Sequence, residues 1–336
     1  MSTATHVPET SRFGREELSA DDARATARRI GAKRLLVDSW RRMRYGDGFS
    51  STRAVAFQFV LALVPLLIAF IGLASTVRAE KLAKALQETV LSILPGSRDD
   101  AFKQALTKGL SSAGSGGRVA LVVGLLVALV AITTAMAQIE RGANRIYGIQ
   151  RDRPSKERYG RAATLALTAG IPAMIGFIIL VAGGALVDSL RQAYGWSDTT
   201  ATTLTWLRWP IGALLGLVAV TAMFRWAPRR RQPGFSWLAI GAVVAFALWV
   251  LFSWALQFYV THSQSFGTVY GPLTGMFALL IWSQLTSLAL LFGIAFAAQL
   301  EAVRAGVPSP VALDPERAPG ARTDPVVVLT PEAASH

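Results

Sequence analysis

The polar side chains that lie inside long apolar stretches are the residues of this chain whose types and spacing could do chemistry. Gln58, Gln138 and Gln284 each carry a neutral amide, which both donates and accepts hydrogen bonds. No Asp, Glu, Lys or Arg lies near the middle of any of these stretches. Because intramembrane ionisable groups are the usual marks of proton relays and ion pathways, the pattern argues against a carboxylate-driven pump.

Pro65 lies seven residues, or about two helical turns, after Gln58, on roughly the same helical face. A proline inside a helix leaves one backbone carbonyl without its donor and kinks the helix. Two interpretations of Pro65 stay open, a structural kink and a gating hinge. Gln58 likewise fits either the wall of a cavity or a plain hydrogen bond between two helices.

Charged residues follow two of the apolar stretches. Glu140 and Arg141 come at the end of the second stretch, and Glu301 comes at the end of the sixth. A Glu301–Arg141 pair would tie the two helices together or form a gate on the inner side. The alternative is that these are separate, solvated charges at the membrane interface.

Enzyme chemistry has no recognisable residue set in this chain. The histidines His6, His262 and His336 are scattered, there is no cysteine, and the acidic pair Asp99–Asp100 has no histidine near it. The HExxH, GxSxG and Walker patterns, which place a metal, a nucleophile or a phosphate, are absent from the sequence. We therefore predict no catalytic residue, no metal site and no cofactor.

The elements that must position these side chains are six apolar stretches of about 20 residues or more, enough to cross about 30 Å of hydrocarbon as helices. They are 55–77, 119–139, 163–187, 204–224, 236–260 and 273–300. The chain is 52% hydrophobic and 16% charged, well below the roughly 25% charged residues of a soluble domain. The pattern predicts an all-α polytopic membrane protein with six transmembrane helices.

Lys and Arg residues set the expected orientation. Most of the 34 basic residues lie before the first stretch, after the second, after the fourth and after the sixth. The positive-inside rule then places both termini in the cytoplasm. The basic inner loops fit anionic lipid headgroups, so membrane lipids are the expected partners, with a second copy of the chain also compatible. Nucleic acid is disfavoured because no aromatic stacking platform accompanies the charge.

The segments outside the stretches divide the chain further. Residues 1–29 are polar and without periodicity, which predicts a disordered cytoplasmic N-terminus. The membrane domain is predicted over 30–305, with an interfacial helix at 30–45, whose Leu36, Trp40 and Met43 form an apolar stripe, and an external helical hairpin at 79–110. The Pro-rich stretch 306–336 predicts a disordered cytoplasmic tail.

Three short blocks resemble, in order, the signature blocks of one family. They are AFQFVLALVPLL at 56–67, ANRIYG at 143–148, and Tyr270, Gly271, Gly275, Leu280, Trp282 and Gly293 near the last stretch. Over roughly residues 35–305 the chain is similar to the YihY/BrkB family, and within it to the YhjD-like branch. It departs at Phe57, Ala62 and Ala295, where the family often has Tyr, Ser and Glu.

The resemblance implies a bacterial inner-membrane protein. The family was formerly labelled ribonuclease BN, and some of its members have been linked to export of envelope lipids. The function expected from residues and resemblance together is a transporter or flippase-like protein for an anionic, amphipathic envelope lipid. The alternative is a non-transporting scaffold for envelope assembly, and a ribonuclease or lipid hydrolase is least favoured.

In the transporter interpretation, a polar cavity is lined by the first, second and sixth stretches, and basic residues at its inner end attract the headgroup. A continuous polar cavity that reaches the middle of the bilayer would favour transport, and a solid bundle would favour a scaffold. The candidate cavity or gate residues are Gln58, Pro65, Gln138, Glu140, Arg141, Asn144, Arg145, Tyr270, Gly271, Trp282, Gln284 and Glu301.

Overall fold

The structure, a computed structural model, is mainly helical in the residues that it describes. These residues are 4–9, 18–76, 117–149, 151–173, 175–176, 179–180, 183–184, 187, 191, 197–262 and 274–312. The helices are α1 (Ala20–Ile30), α2 (Ala32–Tyr45), α3 (Gly48–Thr76), α4 (Gly117–Ile146), α5 (Ser155–Thr168), α6 (Asp198–Trp226), α7 (Phe235–His262) and α8 (Thr274–Arg304). The described residues of 170–191 are helical as well.

Four described segments are long and apolar enough to cross a membrane: Val122–Ile146 of α4, Asp198–Trp226, Phe235–His262 and Gly275–Arg304 of α8. They confirm the prediction of an all-α polytopic membrane protein for these four stretches. The predicted span 55–77 falls almost wholly within α3, a helix of 29 residues. That α3 and the stretch 163–187 also cross the bilayer, making six spans, stays a prediction.

Helix α8 holds the bundle together, because α1, α2, α3, α4 and α7 all pack against it. At its crossing with α7 the two backbones touch. A Cβ added at Gly293 would lie 2.7 Å from the Gly241 carbonyl oxygen, and one at Gly241 would lie 2.8 Å from the Gly293 carbonyl oxygen. Close approach through small residues is the usual way in which membrane helices gain packing contacts without a hydrophobic driving force.

Part of the N-terminal segment is helical, so the prediction of disorder over 1–29 is wrong there. Helix α1 begins after Ser19, whose hydroxyl accepts from the amide of Asp22 while the Asp22 carboxylate accepts from the amide of Ser19. This capping box satisfies two amides that the first helical turn leaves open. Ala23 is fully buried, and α1 packs on α7 and α8. Tertiary packing therefore stabilises a helix that polar composition alone did not predict.

Residues 4–9, which we call the N-terminal strap, are also ordered by tertiary contacts. The amide of Thr5 donates to the Pro310 carbonyl oxygen at 3.2 Å, and the amide of Val7 donates to that of Tyr147 at 3.1 Å. Val7 is fully buried, and Ala4 forms an isolated antiparallel bridge with Val311. Disorder was therefore wrongly predicted for 4–9 and for the start of the tail, because main-chain partners distant in sequence hold both.

Helix α2 divides its side chains between two environments. Leu36 and Trp40 are 44% and 47% exposed, whereas Met43 is fully buried against the bundle. The single apolar stripe predicted for these three residues is thus wrong in one member. That α2 lies in the membrane interface stays a prediction. The external hairpin predicted at 79–110 lies outside the described residues, as does the tail beyond residue 312.

Candidate functional site

A layer of charged and polar side chains lies where α4 and α8 end. Two carboxylates project from these helices, Glu140 from α4 and Glu301 from α8, and both are buried. The arginines that meet them come from connections between helices, as does the tyrosine in the layer. We call the following residues the polar layer: Arg42, Glu140, Asn144, Tyr147, Arg153, Arg230, Gln299 and Glu301.

Arg230 and Glu301 form the most deeply buried ion pair described. Two guanidinium nitrogens of Arg230 donate to the two carboxylate oxygens of Glu301 at 2.6 and 3.0 Å. The side chains are 2% and 0% exposed, and the guanidinium carbon lies 4.6 Å from the centre of the Tyr147 ring. The solvated alternative for Glu301 is therefore wrong, and the bidentate partner that the structure shows is Arg230. A bidentate pair of this kind joins α8 to the loop between α6 and α7.

Glu140 has a different arginine as its partner. Arg153, which precedes α5, donates to the Glu140 carboxylate at 2.5 Å, and the side chains are 10% and 3% exposed. The same guanidinium also donates to the carbonyl oxygens of Ala227 and Pro228, each at 3.4 Å. Arg153 thus links α4 to the chain that leaves α6, and Glu140 is a buried structural anion rather than a solvated one.

Asn144 connects the same two loops through its amide. Its oxygen accepts from the Arg229 backbone amide at 2.7 Å, and its nitrogen donates to the Asp152 carboxylate at 3.3 Å. Arg141 lies 3.6 Å from that carboxylate, with both side chains about one-third exposed. Arg145 pairs with Asp47, a residue between α2 and α3, and this pair is half-exposed. Exposed ion pairs contribute only about 0–1 kcal/mol to stability, so the buried pairs stabilise the layer most.

Arg42, on α2, is fully buried. Its Nε donates to the Gln299 side-chain oxygen at 2.7 Å, and its Nη1 donates to the carbonyl oxygens of Thr5, at 2.8 Å, and Ile146, at 3.3 Å. Its Nη2 is buried and has no hydrogen-bond partner among the described residues. Desolvation lowers the pKa of Arg42 to about 10, so the side chain is still a cation at neutral pH.

Tyr147 is the aromatic floor of the layer and is almost completely buried. Burial, followed by the nearby negative charge of Glu301, raises the pKa of its phenol well above the usual range. The phenol is therefore neutral at any physiological pH. It presents a π-face to Arg230, a geometry that favours a desolvated cation.

Among the predicted cavity residues, Gln284 and Trp282 have hydrogen-bond partners on neighbouring helices. Gln284 donates to the Thr52 hydroxyl at 2.9 Å, which joins α8 to α3. Trp282 donates through its indole nitrogen to the Ser253 hydroxyl at 3.1 Å, which joins α8 to α7. Gln58 and Gln138 are half-buried on α3 and α4. Pro65 is an internal residue of α3, and Tyr270 and Gly271 lie outside the described residues.

The bundle contains an apolar cavity of about 360 Å³. Its wall combines α3, α4, α6, α7, α8 and the described part of 169–180, and it includes many small residues. Among the lining residues are Met136, Gly170, Gly176, Gly216, Ala219, Ala245, Phe246 and Leu290. Gln58, Gln138 and Gln284 are not among the lining residues of this cavity, so a polar cavity lined by these three side chains stays a prediction. Such an apolar wall favours hydrocarbon over water.

The cavity and the polar layer are neighbours along α4. Met136 lines the cavity, Glu140 follows one turn later and Asn144 two turns later. At 1.5 Å per residue, the first step is about 6 Å along the helix axis. A molecule with an apolar chain in the cavity would therefore bring a polar end close to the layer.

Sequence reasoning missed Arg42, Tyr147, Arg153, Arg230 and Gln299. One signal was available for Arg42, because Leu35, Ser39 and Met43 recur at helical spacing with it and all are buried. That spacing defines a face on which an arginine is unexpected. No local signal marks Arg153 or Arg230, which lie in basic loops among similar residues.

Helical spans, a buried polar layer at one end and an apolar cavity beside it define a polytopic α-helical membrane protein. The model of the family described as virulence factor BrkB matches residues 39–316. The chain belongs to this family, which confirms the resemblance seen in the sequence.

Curated relatives are distant but cover most of the chain. The ribonuclease-like protein YfkH of Bacillus subtilis is 22% identical over 263 residues, which are 77% of this chain and 92% of the relative. A UPF0761 membrane protein of Stenotrophomonas maltophilia is 27% identical over 286 residues, 84% of this chain and 63% of the relative. One of Xanthomonas axonopodis pv. citri is 25% identical over 293 residues.

The chain spans 92% of the length of YfkH but less than two thirds of the UPF0761 relatives. The membrane-protein names of these relatives agree with the apolar helices, so the chain is a bacterial membrane protein. The word ribonuclease-like describes YfkH by name only and is no evidence of an activity here. No solved structure matches the chain significantly.

Proposed function

We propose that this protein is a non-enzymatic transporter or flippase of an anionic, amphipathic envelope lipid in the bacterial inner membrane. The observation that carries the proposal is the apolar cavity of about 360 Å³ among membrane helices, next to the arginine-rich polar layer. Hydrocarbon and anion are the two halves of such a lipid. The cavity suits an acyl chain, and the arginines suit a phosphate headgroup.

In this proposal the apolar and charged parts of the lipid contact different parts of the protein, and no path lined by glutamines is needed. The apolar part of the lipid would move between helices, where burial of each methylene contributes about 0.8 kcal/mol. The charged part would stay at the polar layer and at the exposed basic loops, near which each Lys or Arg contributes about 1 kcal/mol of attraction to an anionic surface. A polar channel through the bundle is then unnecessary for the chain of the lipid.

A lipid-scrambling assay in liposomes tests the proposal, with the cavity filled by Gly216→Leu. A Cβ at Gly216 has the Phe246 ring at 3.8 Å and ordinary space around it, so a larger side chain extends into the cavity. We expect protein-dependent movement of labelled phosphatidylglycerol to fall to about the protein-free rate. Filling a cavity commonly stabilises by about 0.5–2 kcal/mol, so a folding defect would not explain the loss.

Gly160→Leu is the matched control, since Gly160 is a helical glycine of α5 with nothing within 4 Å of an added Cβ. This variant should move lipid like the wild type. If the wild-type protein, correctly folded, moves no lipid class, or if Gly216→Leu and Gly160→Leu behave alike, the proposal is overturned.

A second candidate function, a membrane scaffold, is favoured by the bonds of Gln284 and Trp282. Each ties α8 to a neighbouring helix, as expected if embedded polar residues serve only to hold the bundle. This alternative predicts that Gly216→Leu leaves function in the cell intact, whereas substitutions that loosen the bundle abolish it.

A further inference from the structure

The N-terminal strap covers the two most deeply buried arginines of the polar layer with neutral acceptors. The Thr5 carbonyl oxygen accepts from Arg42 at 2.8 Å, and the Pro8 carbonyl oxygen accepts from Arg230 at 3.1 Å. Glu9 adds a contact from its carboxylate to the Arg231 backbone amide at 3.3 Å. Three residues of the strap therefore accept hydrogen bonds from arginine side chains or from an arginine backbone amide.

The layer beneath the strap carries more positive than negative buried charge. Arg230 is neutralised by Glu301, whereas Arg42 forms no ion pair with a described carboxylate and leaves its Nη2 unbonded. Glu301 and Asp38 act on Arg42 from a distance, but Glu301 is already paired with Arg230, and Asp38 lies within 3.8 Å of both Arg34 and Arg41. The two buried guanidinium groups are close enough to repel each other. A buried cation in this condition is costly unless an anion compensates it.

We propose that Arg42 and Arg230 form a phosphate-binding site. The N-terminal strap blocks this site, because its carbonyl oxygens occupy the same nitrogen donors. When the strap leaves, the nitrogens that now donate to Thr5 and Pro8 become available together with Nη2 of Arg42. A phosphate oxygen brings a negative charge to these cationic donors, which the neutral carbonyl oxygens of the strap do not, and its geometry suits the fork of a guanidinium group. The inference rests on the proposed function in taking an anionic lipid headgroup as the preferred source of the phosphate, with free inorganic phosphate as the other source.

The strap is held by short-range contacts rather than by a helix or a sheet of its own. Among the described residues these include the Val7 side chain, the main-chain bonds of Thr5 and Val7, the Ala4–Val311 bridge, the Glu9–Arg231 bond and the arginine bonds above. At Gly148 the fit is tight, since an added Cβ would lie 2.7 Å from the Cα of His6 and 2.8 Å from its amide nitrogen. Substitution at Gly148 therefore displaces the strap without altering either arginine.

The test compares two glycine variants of the full chain. Gly148→Ala adds a methyl that collides with the strap, at a backbone φ of +73°. Gly31→Ala is the matched control, because its φ is +87° and nothing lies within 4 Å of the added Cβ. Both variants carry the strain of a left-handed conformation, and only Gly148→Ala pushes the strap. Binding of phosphatidylglycerol and of diacylglycerol to purified protein in nanodiscs is measured for each.

We expect Gly148→Ala to bind phosphatidylglycerol about tenfold more tightly than the wild type and Gly31→Ala. The reason is that a smaller fraction of the protein is then in the state with the strap in place, which does not bind the lipid and so weakens the apparent affinity. Diacylglycerol, which lacks the phosphate, should show no gain. Adding Arg42→Gln to Gly148→Ala should abolish the gain. Competition by inorganic phosphate would identify the free anion as a ligand of the same site, and lack of competition would identify the lipid headgroup.

Equal phosphatidylglycerol affinities in Gly148→Ala and Gly31→Ala, with no phosphate binding to either, would overturn the inference. If Gly148→Ala does not fold, Val7→Ser loosens the strap by removing its buried apolar anchor and takes its place under the same criterion. The scrambling assay separates the two proposals. A binding gain without lipid movement would overturn the transporter proposal and support this site. Lipid movement without a binding gain would overturn this site and support the transporter proposal.

Discussion

At the scale of single residues, the polar layer is ordered by how completely each charge is buried. The Arg230–Glu301 and Arg153–Glu140 pairs are sealed from solvent, whereas Arg145–Asp47 is half-exposed. Removing one partner of a buried pair leaves an uncompensated charge, which costs about 3–5 kcal/mol, while exposed pairs contribute about 0–1 kcal/mol. Chemically similar pairs in one protein should therefore respond very differently to the same substitution.

Arg230→Met tests this difference against Arg145→Met. We expect Arg230→Met to lower the free energy of unfolding in mixed detergent micelles by about 3–5 kcal/mol, because Glu301 is left buried without its partner. Arg145→Met should lower it by less than about 1 kcal/mol. The double variant Arg230→Met with Glu301→Met should recover much of the loss. Equal effects of the two single variants would contradict the assigned burial.

Tyr147 allows a prediction in alkaline solution. Its folded-state pKa is raised by burial, so its contribution to stability is fully present below the unfolded pKa of about 10 and is lost as the pH rises above that value. The tyrosinate absorbance of the wild type minus that of Tyr147→Phe should stay flat through pH 10 in the folded protein. In denaturant the same difference should rise near pH 10. A rise near pH 10 in the folded protein would show that the phenol is accessible.

At the scale of elements, the crossing of α7 and α8 fixes how the bundle closes around the cavity. Gly241 and Gly293 meet backbone to backbone. A Cβ added at Gly293 would also lie 2.6 Å from the Cβ of Ala245, a residue that lines the cavity. The crossing therefore couples helix packing to the shape of the cavity wall.

Gly293→Ala should force α7 away from α8. Overpacking of this kind costs about 1–3 kcal/mol, and we expect a matching fall in the free energy of unfolding measured in detergent. Gly216→Ala is the control, because the nearest atom to its added Cβ is 3.8 Å away and alanine has the higher helix propensity by about 1 kcal/mol. A variant Gly293→Ala as stable as Gly216→Ala would argue against the close crossing.

Elements were predictable from sequence where a local pattern defines them. The apolar stretches that became α4, α6, α7 and α8 follow from composition over about 20 residues. The strap was not predictable, because residues 4–9 have no periodicity and are held by Tyr147 and Pro310, far away in the chain. The partner of Glu301 was missed for a related reason. Sequence indicates the depth of a residue along a helix but not the rotation that decides which loop it faces.

At the scale of the whole molecule, the two described ends of the chain meet. The bridge between Ala4 and Val311 and the bond from Thr5 to Pro310 place both ends on the same side of the bundle. Helix α6 crosses the bundle. It ends at Trp226, beside the polar layer, and begins at Asp198, on the opposite side. The distribution of basic residues then predicts that the side with both ends is cytoplasmic.

Cysteine labelling tests this topology directly, since the chain contains no cysteine of its own. Arg24→Cys and Ser309→Cys introduce exposed thiols on the side of the strap, and Thr199→Cys introduces one at the start of α6. A membrane-impermeant maleimide should label Thr199→Cys in intact spheroplasts and the other two only in inverted vesicles. The reverse pattern would put the polar layer outside the cell, where its arginines would face the outer leaflet. Because anionic lipids at the cytoplasmic surface attract basic segments, that result would also remove the electrostatic reason for lipid to be captured from the inner leaflet.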